Sequence, residues 1–240
     1  MATRTALGTA TNKAGGGHTW APSELSNITI DPNHTLIVRL AAINAVGWAF
    51  ACRFPTSGDN VPADVFPDGV SPRLNVFRYR NLTANPVTGD ISFFTPTENF
   101  TEAFAACAVK YDVLLGRDAT AEGENATGNT TPDSGNAITA TATAQVLAGV
   151  FAVQGPGGDG APTVTAGAEA DNLGQRAGTT GGSATSNCTI VETYGEISSD
   201  ADCNAAITLA TSRGWMAQII RYTVLPPGSA GPYDDVHCIG

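Results

Sequence analysis

Residues 74–83 have the sequence LNVFRYRNLT, which carries a clear strand pattern. Its alternate residues form two sets, one of Asn75, Phe77 and Tyr79 and the other of Leu74, Val76, Arg78 and Arg80. A period of two places successive side chains on opposite faces of a β-strand. The Asn85-Pro86 pair that follows is a turn signal, because proline presets φ and asparagine bonds to local backbone. This stretch therefore predicts a β-strand.

Similar strand patterns recur on both sides of it, for example in residues 35–45, 138–154 and 189–197. The 27 glycines and 14 prolines among 240 residues favour turns over long helices. We therefore expect an all-β protein of roughly eight to ten strands, arranged as a jelly roll or β-sandwich barrel. One short helix is predicted over residues 200–213, because Ser199 or Asp200 can cap its start and Gly214 can end it.

The chain divides into an arm, a barrel and a tail. Residues 1–24 are rich in Thr, Ala and Gly and predict an extended N-terminal arm, whereas residues 226–240 predict a C-terminal tail. Residues 25–225 are expected to form the β-barrel domain. Within it, residues 117–137 and 155–186 are dense in glycine and polar residues and predict long loops. The second loop is expected to be a mobile insertion or a small projecting subdomain.

Charge and hydropathy exclude several functions. The net charge is −10 and no basic run occurs, so we expect no direct binding to nucleic acid. The longest apolar stretch, residues 36–54, is interrupted by Arg39 and Asn44 and does not predict a membrane helix. Residues 1–20 contain no apolar core of the kind found in secretory signals.

No motif specifies an enzyme or a cofactor. Residues 155–160 match GxGxxG, but Pro156 stiffens the loop and no helix follows to bind a pyrophosphate. Residues 200–204 begin like an EF-hand loop, yet Ala205 stands where glycine is required. We therefore expect no catalytic residue, no metal and no cofactor. A glycosidase-like enzyme that uses only Asp and Glu is the enzymatic alternative.

Five cysteines form no CxxC pair and no zinc-type cluster. Cys52 and Cys107 lie in apolar runs and are expected to be buried thiols, with a disulfide between them as the alternative. Cys188 and Cys203 flank a strand and the predicted helix, and are a candidate disulfide. Cys238 lies in the polar tail, where it is either a thiol that bridges to another chain or an inert exposed thiol.

Asn-x-Thr triplets occur seven times, which is more often than chance placement of these residues would give. Their asparagines are Asn27, Asn33, Asn81, Asn99, Asn125, Asn129 and Asn187. Each is a candidate acceptor for N-glycosylation. The alternative is that Asn and Thr recur together because both suit the turns and strand edges of β proteins.

A β-rich chain with an extended arm, long loops, no catalytic motif and a terminal cysteine has the parts that a self-assembling shell subunit needs. Over roughly residues 25–225 it resembles the single vertical β-barrel major capsid proteins of tailless, membrane-containing icosahedral viruses of archaea and thermophilic bacteria. The resemblance implies a virion coat subunit that contacts copies of itself, a second capsid protein and an internal membrane layer. It would place residues 155–186 near a projecting tower.

The competing class is a secreted or cell-surface β-sandwich protein. An adhesin, a filament subunit or a carbohydrate-binding module of this kind would also account for a glycosylated surface. Assembly state separates the two classes, because a coat subunit is found in a regular polymer whereas a binding module is a stable monomer.

Overall fold

A computed structural model describes residues 2–13, 18–43, 50–55, 60–61, 63–65, 72–95, 103–135, 145–157, 162–165, 170–197 and 203–227. Within these residues the chain forms eighteen strands and two three-residue 3-10 turns, Ser23–Leu25 and Ala184–Ser186. The strands are β1 (Arg4–Asn12), β2 (Thr19–Trp20), β3 (Ile28–Ile30), β4 (Thr35–Ala42), β5 (Ala51–Arg53), β6 (Asn60–Val61), β7 (Ala63–Val65), β8 (Arg73–Arg80), β9 (Val87–Gly89), β10 (Ser92–Phe94), β11 (Phe104–Tyr111), β12 (Leu114–Asn129), β13 (Gln145–Gln154), β14 (Thr163–Val164), β15 (Asn172–Gly178), β16 (Cys188–Ile197), β17 (Ile207–Thr208) and β18 (Arg213–Leu225). The all-β prediction is confirmed.

Three antiparallel sheets are stacked face to face. The central sheet has the order β1-β11-β4-β8-β7, the front sheet β2-β10-β5-β6 and the back sheet β12-β18-β13-β16-β15. One buried cluster, the front core, lies between the central and front sheets, and a second lies between the central and back sheets. A third cluster covers the outer face of the back sheet. The predicted sandwich is confirmed.

The predicted barrel is not formed by the described residues. In the central sheet the edge strands β1 and β7 pair with β11 and β8 alone, so the sheet stays open. The sheet has no need to curl around its own core, because each of its faces is already covered by another sheet.

Strand β4 is buried along its whole length. Leu36, Val38 and Leu40 face the front sheet, whereas Ile37 faces the back sheet. A strand covered on both faces needs apolar residues at nearly every position, which explains the continuous apolar run in the sequence. Arg39 is the charged exception in this run.

Strand β8 confirms the alternation on which the prediction for residues 74–83 was based. Phe77 packs into the front core, whereas Leu74 and Val76 pack toward the back sheet. Both faces of β8 are therefore core faces, and its period-two pattern separates two different cores rather than core from solvent.

The helix predicted over residues 200–213 is wrong. From Cys203 onward the described chain is extended, and the N–H of Ile207 donates to the carbonyl of Pro132 at 3.0 Å rather than to a helical neighbour. Cys203, Ala205 and Ile207 are fully buried in the third cluster. Packing of these alternate residues against the back sheet outweighs the helix propensity of the alanines.

The loop predicted over residues 117–137 is wrong for residues 117–129, because β12 continues as a strand to Asn129, and residues 136–137 lie outside the described residues. Its pairing with β18 begins at Leu114 and includes register shifts between Arg117 and Ala119 and before Asn129. The neighbouring strand supplies the pairing that the weak strand propensity of this Gly- and Asn-rich segment does not predict.

The segment 155–186 is not simply a loop insertion. It contributes β15, which pairs with β16, and β14, which pairs with β17. Gly178 of β15 lies against Gly157, and a Cβ added to Gly178 would be 2.5 Å from the Gly157 Cα. Glycine at this position therefore permits a close approach of two backbones rather than flexibility.

Part of the expected N-terminal arm lies in the sheets. Residues 4–12 form β1, which pairs with β11 at the edge of the central sheet and buries Ala10. Trp20 of β2 stacks on Phe93 with ring centroids 5.2 Å apart. Backbone pairing holds β1 although its side chains are small. The tail from residue 228 onward lies outside the described residues.

The chain divides into two consecutive halves. Strands β1 to β11 build the central and front sheets and the separate β3-β9 pair, and strands β12 to β18 build the back sheet and its outer cover. Within the described residues the chain passes from the N-terminal half to the C-terminal half once, at Asp112 and Val113. We name the cluster between the central and back sheets the seam. Its members include Ile37, Cys107 and Tyr111 from the N-terminal half and Val150, Ile190 and Tyr222 from the C-terminal half.

Candidate functional site

A group of charged side chains is buried in the seam. Glu192 of β16 is fully buried, and its Oε1 lies 3.1 Å from Nη1 of the fully buried Arg39. Arg4 donates from Nε to Oε1 at 3.1 Å and from Nη2 to Oε2. The backbone N–H of Gln175 donates to Oε2 at 3.1 Å. We name Arg4, Arg39 and Glu192 the charge cluster.

Strand alternation brings these side chains together. Arg39 shares the seam-facing side of β4 with Ile37 and lies opposite Cys107 in the register of β4 and β11. Arg4 comes from the edge strand β1, and its guanidinium carbon lies 4.4 Å from the centroid of the Tyr194 ring. Both arginines therefore belong to the N-terminal half, and the carboxylate belongs to the C-terminal half.

The surroundings fix the charge of each group. Burial alone would raise the pKa of Glu192, but the charge of Arg39 and the hydrogen bonds from Arg4 and Gln175 outweigh it and hold the pKa below its ordinary value. Burial lowers the pKa of Arg39, but Glu192 together with the nearby Cys107, Tyr111 and Tyr222 outweighs it, so that pKa is raised. Burial raises the pKa of Cys107 to about 12. At neutral pH the cluster is one carboxylate and two guanidiniums beside a protonated thiol.

The charge cluster has little capacity for chemistry. The thiol of Cys107 is fully buried and protonated, and a protonated thiol is a poor nucleophile. Nε and Nη2 of Arg39 have no hydrogen-bond partner among the described residues. The arrangement instead provides an electrostatic link between the two halves of the chain.

Sequence reasoning missed the charge cluster. The available signal was a single arginine, Arg39, within the apolar run of residues 36–43. A lone buried charge requires a countercharge, so its position implied a buried acid elsewhere in the chain. The sequence did not reveal which of the 22 acidic residues that was.

Two of the candidate glycosylation sites are buried, and this prediction is corrected for them. Asn81 donates from Nδ2 to the carbonyl of Ile30 at 2.8 Å and to that of Asn85 at 2.9 Å. Asn187 donates from Nδ2 to the carbonyl of Gly181 at 2.8 Å. A glycan on either nitrogen would disrupt these bonds, so neither asparagine is a surface acceptor in the folded protein.

The Asn-x-Thr triplet is a turn motif at two positions. Oδ1 of Asn81 accepts from the Thr83 N–H at 3.0 Å and from the Thr83 hydroxyl at 2.7 Å. Oδ1 of Asn129 accepts from the Thr131 N–H at 2.9 Å and from the indole of Trp215 at 2.8 Å. These are Asx turns, in which the side chain replaces a backbone carbonyl. They support the alternative explanation for the frequent Asn-x-Thr triplets, namely that Asn and Thr recur together in turns.

Two further triplets remain candidates for modification. Asn27 is exposed and Asn33 is half-buried, and both have positive φ, 53° and 61°. Asparagine tolerates this left-handed conformation better than most residues, so a turn explains these positions as well. Asn99 lies outside the described residues, as does the side chain of Asn125.

The cysteines lie in separate clusters. Cys52 belongs to the front core and Cys107 to the seam, which confirms both as buried thiols. Cys188 belongs to the seam, whereas Cys203 belongs to the third cluster, on the outer face of the back sheet. The candidate disulfide between Cys188 and Cys203 is corrected, because the back sheet lies between them. Cys238 lies outside the described residues.

Two surface clefts lie at the ends of the back sheet. One, of about 390 Å³, includes Val113, Asp112 and Leu225 in its wall, and the other, of about 30 Å³, includes Val153 and Arg213. Among the described residues that line them, Asp112 and Arg213 are the ionisable side chains. Neither cleft therefore pairs a nucleophile with a base.

The described part of the chain contains no group of three or more His, Cys, Asp or Glu side chains placed to hold a metal ion. It also contains no helix long and apolar enough to cross a membrane.

No protein-family model matches the chain, and comparisons with curated proteins and with solved structures return no match.

Proposed function

We propose that the chain is a structural subunit that self-assembles, and that its assembly is the icosahedral coat of a virion. The observation that carries this proposal is the edge of the back sheet. Strand β12 is 16 residues long and pairs with β18, and no strand lies on its other side within the described residues. An open strand edge presents unpaired N–H and C=O groups that a strand of another chain can bond.

The surface supports contact through strand edges rather than through apolar patches. Among the described residues, Leu82 and Leu173 are the large hydrophobic side chains that are exposed. An interface held by apolar burial would need a contiguous patch of several hundred Å². Three stacked sheets with a doubly covered centre also make the rigid unit that a shell requires.

The proposed partners are copies of the same chain and a second capsid protein, with contact to a membrane layer of the virion. The proposed location is therefore the virion. Direct binding of nucleic acid is not part of the proposal, because the net charge is −10.

Electron microscopy of the native material, with sedimentation analysis of the purified chain, tests the proposal. Closed shells are expected. Thr120, an exposed residue of β12, is replaced by lysine, and Thr180→Lys in an exposed turn is the matched control. Thr120→Lys should abolish assembly, since a lysine on an edge strand opposes strand addition, whereas Thr180→Lys should assemble normally.

Other outcomes overturn the proposal in different ways. Assembly by Thr120→Lys equal to that of the control would exclude β12 as a contact. Native material that is monomeric, with a melting temperature that rises on adding an oligosaccharide, would identify a binding module instead. A non-reducing gel of the wild type and Cys238→Ser tests whether that thiol links subunits.

The open edge also favours one alternative, a filament subunit on a cell surface. Strand addition that does not close on itself produces a linear polymer rather than a shell. The same micrographs distinguish the two, because a filament has free ends and variable length.

A further inference from the structure

We propose that the charge cluster is an acid-sensitive latch that holds the two halves of the chain together, and that protonation of Glu192 opens the seam while the front core stays folded. This inference goes beyond the proposed function and does not rest on it. The juxtaposition that carries it is a carboxylate from the C-terminal half paired with two arginines from the N-terminal half, at a buried interface that the described part of the chain crosses once.

The topology allows the seam to open without unravelling either half. All strand pairing in the described residues lies within one half or the other, and the halves are joined at Asp112 and Val113. The N-terminal half keeps the front core, and the C-terminal half keeps the cluster on the outer face of the back sheet. The seam consists of side-chain contacts between sheets, so its opening breaks no β-ladder that joins the halves. It removes the apolar cover from β13 and β16, and the ladders of these strands then open locally more often.

Glu192 is the carboxylate among the described titratable side chains that surround it and Arg39 in the seam. The titratable side chains around it or around Arg39 are Arg4, Arg39, Cys107, Tyr111, Tyr194 and Tyr222. Burial raises the pKa of the Cys107 thiol to about 12, so this thiol is uncharged at neutral and acidic pH and cannot replace the negative charge of the carboxylate. Protonation of Glu192 therefore changes the net charge of this part of the seam from +1 to +2.

Arg39 makes that change costly. Its side chain is fully buried and Nε and Nη2 already lack hydrogen-bond partners among the described residues, so Glu192 is its compensating charge. Once the carboxylate is neutral, Arg39 is an uncompensated charge in an apolar interior. Arg4 is 13% exposed and can turn toward solvent, but Arg39 reaches water when the back sheet moves away from β4.

The direction of the pH dependence follows from the lowered pKa of Glu192. The stability that its carboxylate contributes is present above the ordinary glutamate pKa, about 4.3, and is lost as the pH falls through the lower value in the folded protein. The latch is therefore closed at neutral pH and opens in acid.

Hydrogen exchange followed by mass spectrometry on the full chain tests the latch, with Glu192→Gln as the neutral mimic at about pH 7. Peptides of β13 and β16 should exchange faster by on the order of 100-fold, whereas peptides of β10 in the front sheet keep their protection. Glu24→Gln removes an exposed acid and should leave both sets unchanged.

A second variant separates the latch from simple loss of a contact. In Arg39→Met/Glu192→Met both buried charges are replaced by apolar side chains, which often preserves or increases stability. We expect this double variant to be protected at about pH 7 and to lose the acid-induced exchange that the wild type shows once the pH falls through the lowered pKa of Glu192.

Three outcomes would overturn the latch. The first is that the β13 and β16 peptides of Glu192→Gln exchange hydrogen as slowly as those of the wild type. The second is simultaneous loss of protection in β10 and β16, which would mean global unfolding. The third is acid-induced exchange in the double variant equal to that of the wild type. If Glu192→Gln does not fold, the wild type and the double variant compared across pH still decide the question.

Discussion

The two faces of the central sheet share the same strands but are stabilised by different interactions. On the front face, Phe50 and Phe104 meet edge to face with ring centroids 5.6 Å apart, in a cluster of apolar side chains. Strand β4 passes between the two faces. Its Val38 packs into the front core, and the next residue, the buried Arg39, points to the seam and lies 3.1 Å from Glu192. The alternation of a single strand thus directs an apolar core to one side and an ion pair to the other.

Burial alone therefore does not make the two cores equivalent. The front core depends on apolar area and shape, which pH and salt change little. A buried ion pair adds little net stability over apolar residues of the same shape, but loss of one partner leaves the other charge uncompensated. We therefore expect the seam to be the face that responds to a change of charge.

Removal of the Glu192 carboxylate should have the largest effect on the stability of the seam. Glu192→Ala should lower the free energy of unfolding at neutral pH by about 3–5 kcal/mol, because Arg39 remains buried without its countercharge. The deficit should shrink as the pH falls below the ordinary glutamate pKa of about 4.3, and it should vanish below the lowered pKa of Glu192, where the folded wild type protonates its own carboxylate. Denaturant unfolding of both proteins across this range measures it. A deficit that is constant with pH would show that Glu192 acts through packing alone.

Buried thiols report on each face separately. Cys52 lies in the front core and Cys107 and Cys188 lie in the seam. In Glu192→Gln at neutral pH, Cys107 and Cys188 should be alkylated faster by on the order of 10- to 100-fold, whereas Cys52 keeps its wild-type rate. Peptide mass spectrometry after timed alkylation gives the three rates. Equal acceleration of all three thiols would mean that the two faces open together.

A conservative change on the front face provides the opposite test. Phe104→Leu removes an aromatic ring that also lies 6.2 Å from the Trp20 ring, and should cost about 1–2 kcal/mol. No titrating group is involved, so this loss should be the same at neutral and acidic pH. Denaturant unfolding at the two pH values checks it, and a loss that depends on pH would contradict the apolar account of the front core.

Patterns that repeat along one strand were predictable from the sequence. The alternation in residues 74–83 and the apolar run of β4 identified the two strands at the centre of the fold, because burial on both faces leaves a local signature. The helix predicted over residues 200–213 failed because its alanines pack against a sheet formed by distant residues. Local propensity contains no information about such a neighbour.

The charge cluster could be predicted only in part. Arg39 stands out in the sequence because it interrupts an apolar run, but its partner is 153 positions away in the chain. Pairing of these residues depends on the stacking of two sheets, which no spacing rule encodes. The turn role of Asn81 was accessible in principle, since asparagine and threonine two residues apart form a known turn.

The smallest expected effect lies at the rim of the front face, where Asn81 bonds the carbonyl of Ile30, a residue of the front core. Thr83→Ala removes the hydroxyl that donates to Asn81 Oδ1 and should cost about 0.5–1.5 kcal/mol, independent of pH. Thr83→Ser keeps both the hydroxyl and the Asn-x-Ser/Thr pattern, and should stay close to the wild type. Thermal unfolding of the pair measures the difference. Equal stability of the two variants would contradict the turn role of this triplet, and a glycan on Asn81 in native material would contradict its burial.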